Sequence, residues 1–190
     1  AIADDVEDGL EAYLKQDLST ALRLMTSLAE QGNAYAQMQL GAVYSQGKGV
    51  AHDYKTAVKW YTLAAEQGNA RAQYNLGTLY NQGQGVAQDY KTAVKWYTLS
   101  AEQGNASAQF YLGLIYDQGL SVEQDHKTAV KWFTLAAEQG DAYAQLNLGL
   151  VYDEGKGVAQ DYKTAVKWST LSAEQGNAGA QLNLGVMYSK

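Results

Sequence analysis

Ala-Glu-Gln-Gly occurs at 29–32, 65–68, 101–104, 137–140 and 173–176, a spacing of 36 residues each time. Trp60, Trp96, Trp132 and Trp168 keep that spacing. So do the Leu-Gly pairs beginning at Leu40, Leu76, Leu112, Leu148 and Leu184, and Tyr44, Tyr80, Tyr116, Tyr152 and Tyr188. A fixed period of this size constrains the fold more than any other feature. Each unit is one supersecondary motif that cannot bury its apolar face alone and must stack on its neighbours. Four full units span 33–68, 69–104, 105–140 and 141–176, a half unit spans 177–190, and residues 1–32 form a worn first unit.

One unit reads as two helices. In 69–104, Asn69 is a good N-cap, and Ala72, Leu76 and Leu79 fall on one helical face bordered by Tyr80. Gly83-Gln84-Gly85 stops the first helix and Asp89 caps the second. Ala93, Trp96, Tyr97, Ser100 and Ala101 follow at helical spacing, and Gly104 ends the unit. Gly77 stands mid-helix, where glycine costs about 1 kcal/mol relative to alanine. Its recurrence predicts close approach of the partner helix, met by Ala93 and Ala101, with Trp96 filling the wider gap.

This pattern resembles the Sel1-like repeat family, relatives of tetratricopeptide repeats. The residues that carry the resemblance in one unit are Ala65-Glu66-Gln67-Gly68-Asn69-Ala70, Ala72-Gln73, Leu76-Gly77, Tyr80, Gly83, Gly85-Val86, Gln88-Asp89-Tyr90, Ala93 and Trp96-Tyr97. It covers residues 29–190. Ala87 and Ala159 replace the family's proline before Gln-Asp. In 105–140, Leu120-Ser121 breaks the Gly-x-Gly and Glu123 replaces alanine. The resemblance implies an all-α, right-handed superhelical solenoid of antiparallel helix pairs, one domain with eleven helices. Two belong to the divergent N-terminal capping pair at 1–32, eight to the full repeats at 33–176 and one to the half repeat at 177–190.

Composition excludes several chemistries. The absence of cysteine removes disulfides, thiolate metal sites and a thiol nucleophile, and His52 and His126 have no second ligand in view, so no cofactor or metal is expected. No run approaches the roughly 18 apolar residues of a membrane span. Five of the 20 acidic residues stand in the first eleven positions. The remainder is near balance against 14 Lys and Arg, so no basic face for nucleic acid is visible. Gly-Lys-Gly at 47–49 and 155–157 lacks the spacing of a phosphate loop. No unrepeated cluster provides a nucleophile, a base and an orienting group, so a catalytic site is not expected.

Positions that vary between units are where function can reside. At about 100° per residue, the helix face opposite Leu76 and Tyr80 carries Arg71 and Tyr74. Its counterparts are Tyr35 and Met38, Ser107 and Phe110, and Tyr143 and Leu146, and Leu114 continues the face one turn beyond Phe110. The resemblance implies that this face lines the concave surface. Tyr111 is assigned to the same surface, and Asn75, Asn147 and Asn183 border it, where they can bond a peptide backbone. Aromatic side chains, Met and Arg are enriched at interface cores. The competing reading is that neighbouring first helices pack these residues against one another. The expected function is a non-catalytic scaffold or adaptor for a protein or peptide. The alternative is an enzyme-like or small-molecule-binding module for cell-wall or antibiotic-like ligands, which requires a compact polar pocket with a buried ionisable group. Ala1-Ile2-Ala3 has the small-x-small pattern of a signal-peptidase site, an expectation of a periplasmic or secreted bacterial protein with a cytoplasmic location as the alternative. The half repeat at 177–190 reads either as truncation before its second helix or as a helix covered by a second molecule through self-association.

Overall fold

The structure is a computed structural model that describes residues 17–189. Among these residues it contains ten α-helices and no strand. They are α1 (Leu18–Glu30), α2 (Ala34–Gln46), α3 (Tyr54–Glu66), α4 (Ala70–Gln82), α5 (Tyr90–Glu102), α6 (Ala106–Gln118), α7 (His126–Glu138), α8 (Ala142–Glu154), α9 (Tyr162–Glu174) and α10 (Ala178–Met187). The expected eleventh helix, the first of the worn unit, lies outside the described residues. The chain divides into two compact units at Ser100.

Caps define each element. Asn69 accepts a bond from the Ala72 N–H at 2.9 Å and starts α4, with Asn33, Asn105, Asp141 and Asn177 acting alike. Asp89 Oδ1 accepts from the N–H groups of Lys91 and Thr92, and its Oδ2 accepts from the Thr92 hydroxyl at 2.7 Å. These bonds favour the charged carboxylate, the Thr92 hydroxyl most, and hold its pKa below the ordinary value of 3.8. The loop between the two helices is closed by the Asp89 N–H on the Tyr80 carbonyl at 3.0 Å, and by Gln88 Nε2 on the Asn81 carbonyl at 2.8 Å. The fixed Tyr-to-Asp spacing in the sequence is therefore the span of a pinned loop.

Gly83 ends α4 in the left-handed region, at φ 68°. Gly85 follows at φ 73°, and a Cβ there would run into the Tyr54 backbone. In the divergent loop after α6, Ser121 adopts φ 60° where the other loops have their second glycine. A left-handed non-glycine residue costs roughly 1–2 kcal/mol. The closing bonds from Gln124 to the Asp117 carbonyl and from Asp125 to the Tyr116 carbonyl are nevertheless retained.

The core of the first unit gathers Ala57, Tyr61, Ala64, Ala65, Ala72, Leu76 and Leu79 with Met38. That of the second gathers Ala129, Val130, Phe133, Ala136, Ala137, Ala144, Leu148 and Val151. Fully buried leucines such as Leu76 and Leu148 each contribute about 1.5–3 kcal/mol. Helix contact at the mid-helix glycine is close, but it differs from the expectation. A Cβ on Gly77 would stand 2.9 Å from the Tyr97 ring and 3.3 Å from the Ala93 carbonyl. Tyr97, one residue beyond the tryptophan, is the ring that requires glycine. Tyr61 on Gly41 and Phe133 on Gly113 repeat the contact. Trp60, Trp96 and Trp168 are instead half-buried at the margin of the cores. Lys59, Lys95 and Lys167 place Nζ 5.1–5.3 Å from the respective ring centroids.

A buried amide series accounts for the recurring glutamines. Gln37, Gln73, Gln109 and Gln145 are each about nineteen-twentieths buried. Each donates from Nε2 to the carbonyl eight residues earlier, that of Ala29, Ala65, Ala101 or Ala137, at 3.0–3.2 Å. Gln67, Gln139 and Gln175, from the Ala-Glu-Gln-Gly segments, donate in turn to Oε1 of Gln37, Gln109 and Gln145 at 2.7–2.8 Å. Both ends of each of these three buried amides are thus bonded, as a polar group in a core requires.

Candidate functional site

The first helix of each pair presents its variable residues in two columns, and the structure treats the columns differently. In the first unit Tyr35 is 44% exposed and its hydroxyl accepts from Gln39 Nε2 at 2.7 Å. Arg71 is exposed at the first turn of α4. Met38, by contrast, is only 3% exposed and belongs to the core of α3 and α4. The expectation that it lines an open surface is corrected. Tyr74 is half-buried, with its ring centroid 6.0 Å from that of Tyr97.

In the second unit Tyr143 is 63% exposed. Phe110 sits among aromatic rings, with centroids 5.5 Å from Tyr111, 6.0 Å from Tyr143 and 6.2 Å from Phe133. Leu114 is half-buried against the core, and the Leu146 methyl reaches within 3.1 Å of where a Cβ of Gly179 would stand. The repeat position of Met38, Tyr74, Phe110 and Leu146 therefore packs largely within the fold, as does Leu114 one turn beyond Phe110. Tyr35 and Arg71 in the first unit, and Tyr143 in the second, are exposed.

Two of the asparagines already have local partners. Asn147 Nδ2 donates to the Tyr143 carbonyl at 2.8 Å, and Asn183 Nδ2 donates to the Ser169 hydroxyl at 3.2 Å. Their amides are engaged by neighbouring helices or their own, because a half-buried amide finds its partner locally.

Two hollows flank the face in the first unit. One, of about 270 Å³, is lined by Met25, Gln39, Ala42, Val43, Gln46, Lys48 and Arg71. Sequence reasoning placed Arg71 and Ala42 on this face and missed the others. The other, of about 200 Å³, is lined by Ser45, Tyr54, Tyr61, Asn75, Thr78, Leu79 and Gln84. Burial raises the pKa of the Tyr61 phenol above its ordinary value of 10.0, so it is neutral near pH 7. This second hollow has hydroxyls and amides but no carboxylate, histidine or lysine among its described lining residues. Elsewhere, His126 Nδ1 lies 2.8 Å from Asp117 Oδ1, both partly exposed. No described helix is long and apolar enough to cross a membrane.

The Sel1 repeat profile matches residues 6–33, 34–69, 70–105, 106–141, 142–177 and 178–190. A protective antigen of uropathogenic Escherichia coli with an SLR fold is 38% identical, with a TM-score of 0.95. That match covers 99% of this chain but 41% of the antigen, so the chain spans about two-fifths of its length. A Sel1 repeat protein from Oxalobacter formigenes is likewise 38% identical, with a TM-score of 0.89 over 96% of this chain and 75% of that one. A Sel1 repeat protein from Klebsiella pneumoniae, at 22% identity and a TM-score of 0.60 over 100% of this chain and 93% of the other, shares the fold. No protein of curated function matches the chain. Repeat profile, helix pairs and solved neighbours agree, and the chain belongs to the Sel1 repeat family, with its all-α solenoid fold.

Proposed function

We propose that this chain is a non-catalytic scaffold that binds a protein or peptide through the exposed first-turn residues of the first helices of its repeats. The observation that carries the reading is the exposure of Tyr35, Arg71 and Tyr143 at one repeat position whose neighbouring column packs inward. Large amphipathic side chains held on rigid helices make contact area at low entropic cost. The antigen relative supports an exported location, since a protective antigen must be met by the immune system.

The reading is tested with the full chain immobilised as bait for envelope proteins of its own organism, beside a Tyr35→Ala, Arg71→Ala, Tyr143→Ala variant. A partner held by the native chain and lost by a variant of unchanged melting temperature is expected. Loss of folding in the variant would show that the column is structural, and equal capture would place binding elsewhere.

A second reading is self-association through α10. Leu182 and Tyr188 are 73% and 76% exposed, and Val186 is about half exposed. Apolar side chains left open in this way favour a covering neighbour. Sedimentation should then show a dimer that Leu182→Glu dissociates. A monomer at high concentration would dismiss it.

A further inference from the structure

The hollow of about 270 Å³ in the first unit has a distinct chemistry. Met25, Ala42 and Val43 give it an apolar floor, and Gln39 and Gln46 line it with amides. Lys48 and Arg71 bring two cations. None of its described lining residues is acidic, in a chain of net charge −6.

Both cations are singular when compared with their repeat equivalents. Lys156 occupies in the second unit the loop position of Lys48 in the first. Lys156 Nζ lies 2.5 Å from Glu154, which raises its pKa. At the position of Glu154 the first unit has Gln46, an amide that cannot neutralise a lysine. Arg71 stands in the first turn of α4, where the exposed N–H groups of the helix disfavour a positive charge. The equivalent positions hold Tyr35, Ser107, Tyr143 and Gly179, all uncharged. Neither Lys48 nor Arg71 forms an ion pair with a described residue. An arginine placed against the helix dipole, beside a lysine deprived of its carboxylate, adds nothing evident to stability. Together they make a basic, partly apolar recess in an acidic molecule.

We infer that this recess binds an acidic peptide segment of the partner, with carboxylate side chains at Arg71 and Lys48 and an apolar side chain on Met25, Ala42 and Val43. Arg71 offers a bidentate fork to a carboxylate, and Lys48 offers a point charge. The inference rests on the scaffold reading above and specifies the chemistry of its partner.

The test is fluorescence anisotropy on the full chain with a labelled nonapeptide of alternating Glu and Leu, against its Gln-for-Glu counterpart. Binding of the acidic peptide is expected to weaken steeply as salt rises from about 50 to 300 mM. The Lys48→Gln, Arg71→Gln variant should bind it about tenfold more weakly, as loss of two charge-assisted contacts implies. Both side chains are exposed, so the variant should keep the native circular dichroism and melting temperature. Lys156→Gln, which removes a cation already paired, should bind like the native chain. Equal binding of the neutral peptide, or an affinity unchanged in the double variant, would overturn the inference. Absence of binding to the acidic peptide, with partner capture still dependent on Tyr35 and Tyr143, would overturn it while leaving the scaffold reading intact.

Discussion

At the scale of the residue, the Asp-Thr pairs show how short side chains organise the second helix of each repeat. Asp53, Asp125 and Asp161 repeat the arrangement of Asp89, each accepting the hydroxyl of the threonine three residues on at 2.6–2.7 Å. That hydroxyl is the foremost cause of the lowered pKa at every one of them. Since the folded pKa lies below the unfolded one, the stabilisation is complete above the ordinary value of 3.8 and disappears as pH falls through the native value. The melting temperature is therefore expected to drop between about pH 5 and pH 2. Combining Asp53→Asn, Asp89→Asn, Asp125→Asn and Asp161→Asn keeps competent caps that do not titrate. The quadruple variant should lose less melting temperature over that interval, as a pH series by circular dichroism can measure. An undiminished drop would assign acid sensitivity to other carboxylates.

At the scale of the element, helix pairs meet at one glycine. Gly113 in α6 faces the Phe133 ring of α7 so closely that any Cβ must displace it. Gly185 in α10 has no atom within 4 Å of its Cβ position. The two residues share a repeat position and differ only in what lies opposite, which separates packing from helix propensity. Gly113→Ala should destabilise the chain by about 1–3 kcal/mol through overpacking. Gly185→Ala should be neutral or stabilise by up to about 1 kcal/mol, the propensity difference between the two residues. Urea unfolding midpoints provide the comparison, and a Gly113→Ala chain as stable as the native one would remove close packing as the reason for the glycine. The resemblance between repeats made the glycine conspicuous, yet spacing matched it to Ala93 and Ala101 and left Trp96 to fill the wider gap, whereas the Tyr97 ring and the Ala93 carbonyl meet it. Trp96 and Tyr97 are adjacent in the sequence, and only the rotation of α5 about its axis determines which ring meets Gly77.

At the scale of the whole molecule, stability in a repeat protein is close to a sum of unit terms and nearest-neighbour terms. Burial is distributed unevenly over the described helices. In α6, Ala108, Gln109, Leu112, Gly113 and Ile115 are buried, whereas in α10 only Ala180 is. Local opening free energy follows buried apolar contact. Amides of residues 178–187 should therefore exchange faster than those of 106–118 in a monomeric sample, as mass-resolved hydrogen exchange can establish. Comparable protection in the two segments would contradict that expectation.

The sequence alone determined the repeat length, the helix pairs, the caps and the inward residues Leu76 and Leu148, because each follows from local periodicity or from bonds within a few residues. The exposure of Tyr35, Arg71 and Tyr143 was legible for the same reason, being read from the helical period. What required the tertiary structure involved residues distant in the chain. Met38 is buried because α3 and α4 close over it, and Asn183 donates to a hydroxyl on the preceding helix, 14 residues away. The glutamine series joins Gln145 to Gln175 across 30 residues, although its recurring amides were in plain view. The recess between Met25, Lys48 and Arg71 depends on three separate elements, α1, the loop after α2 and α4. A helical period specifies which way a side chain points from its own axis; what it meets there is set by the packing of helices tens of residues away.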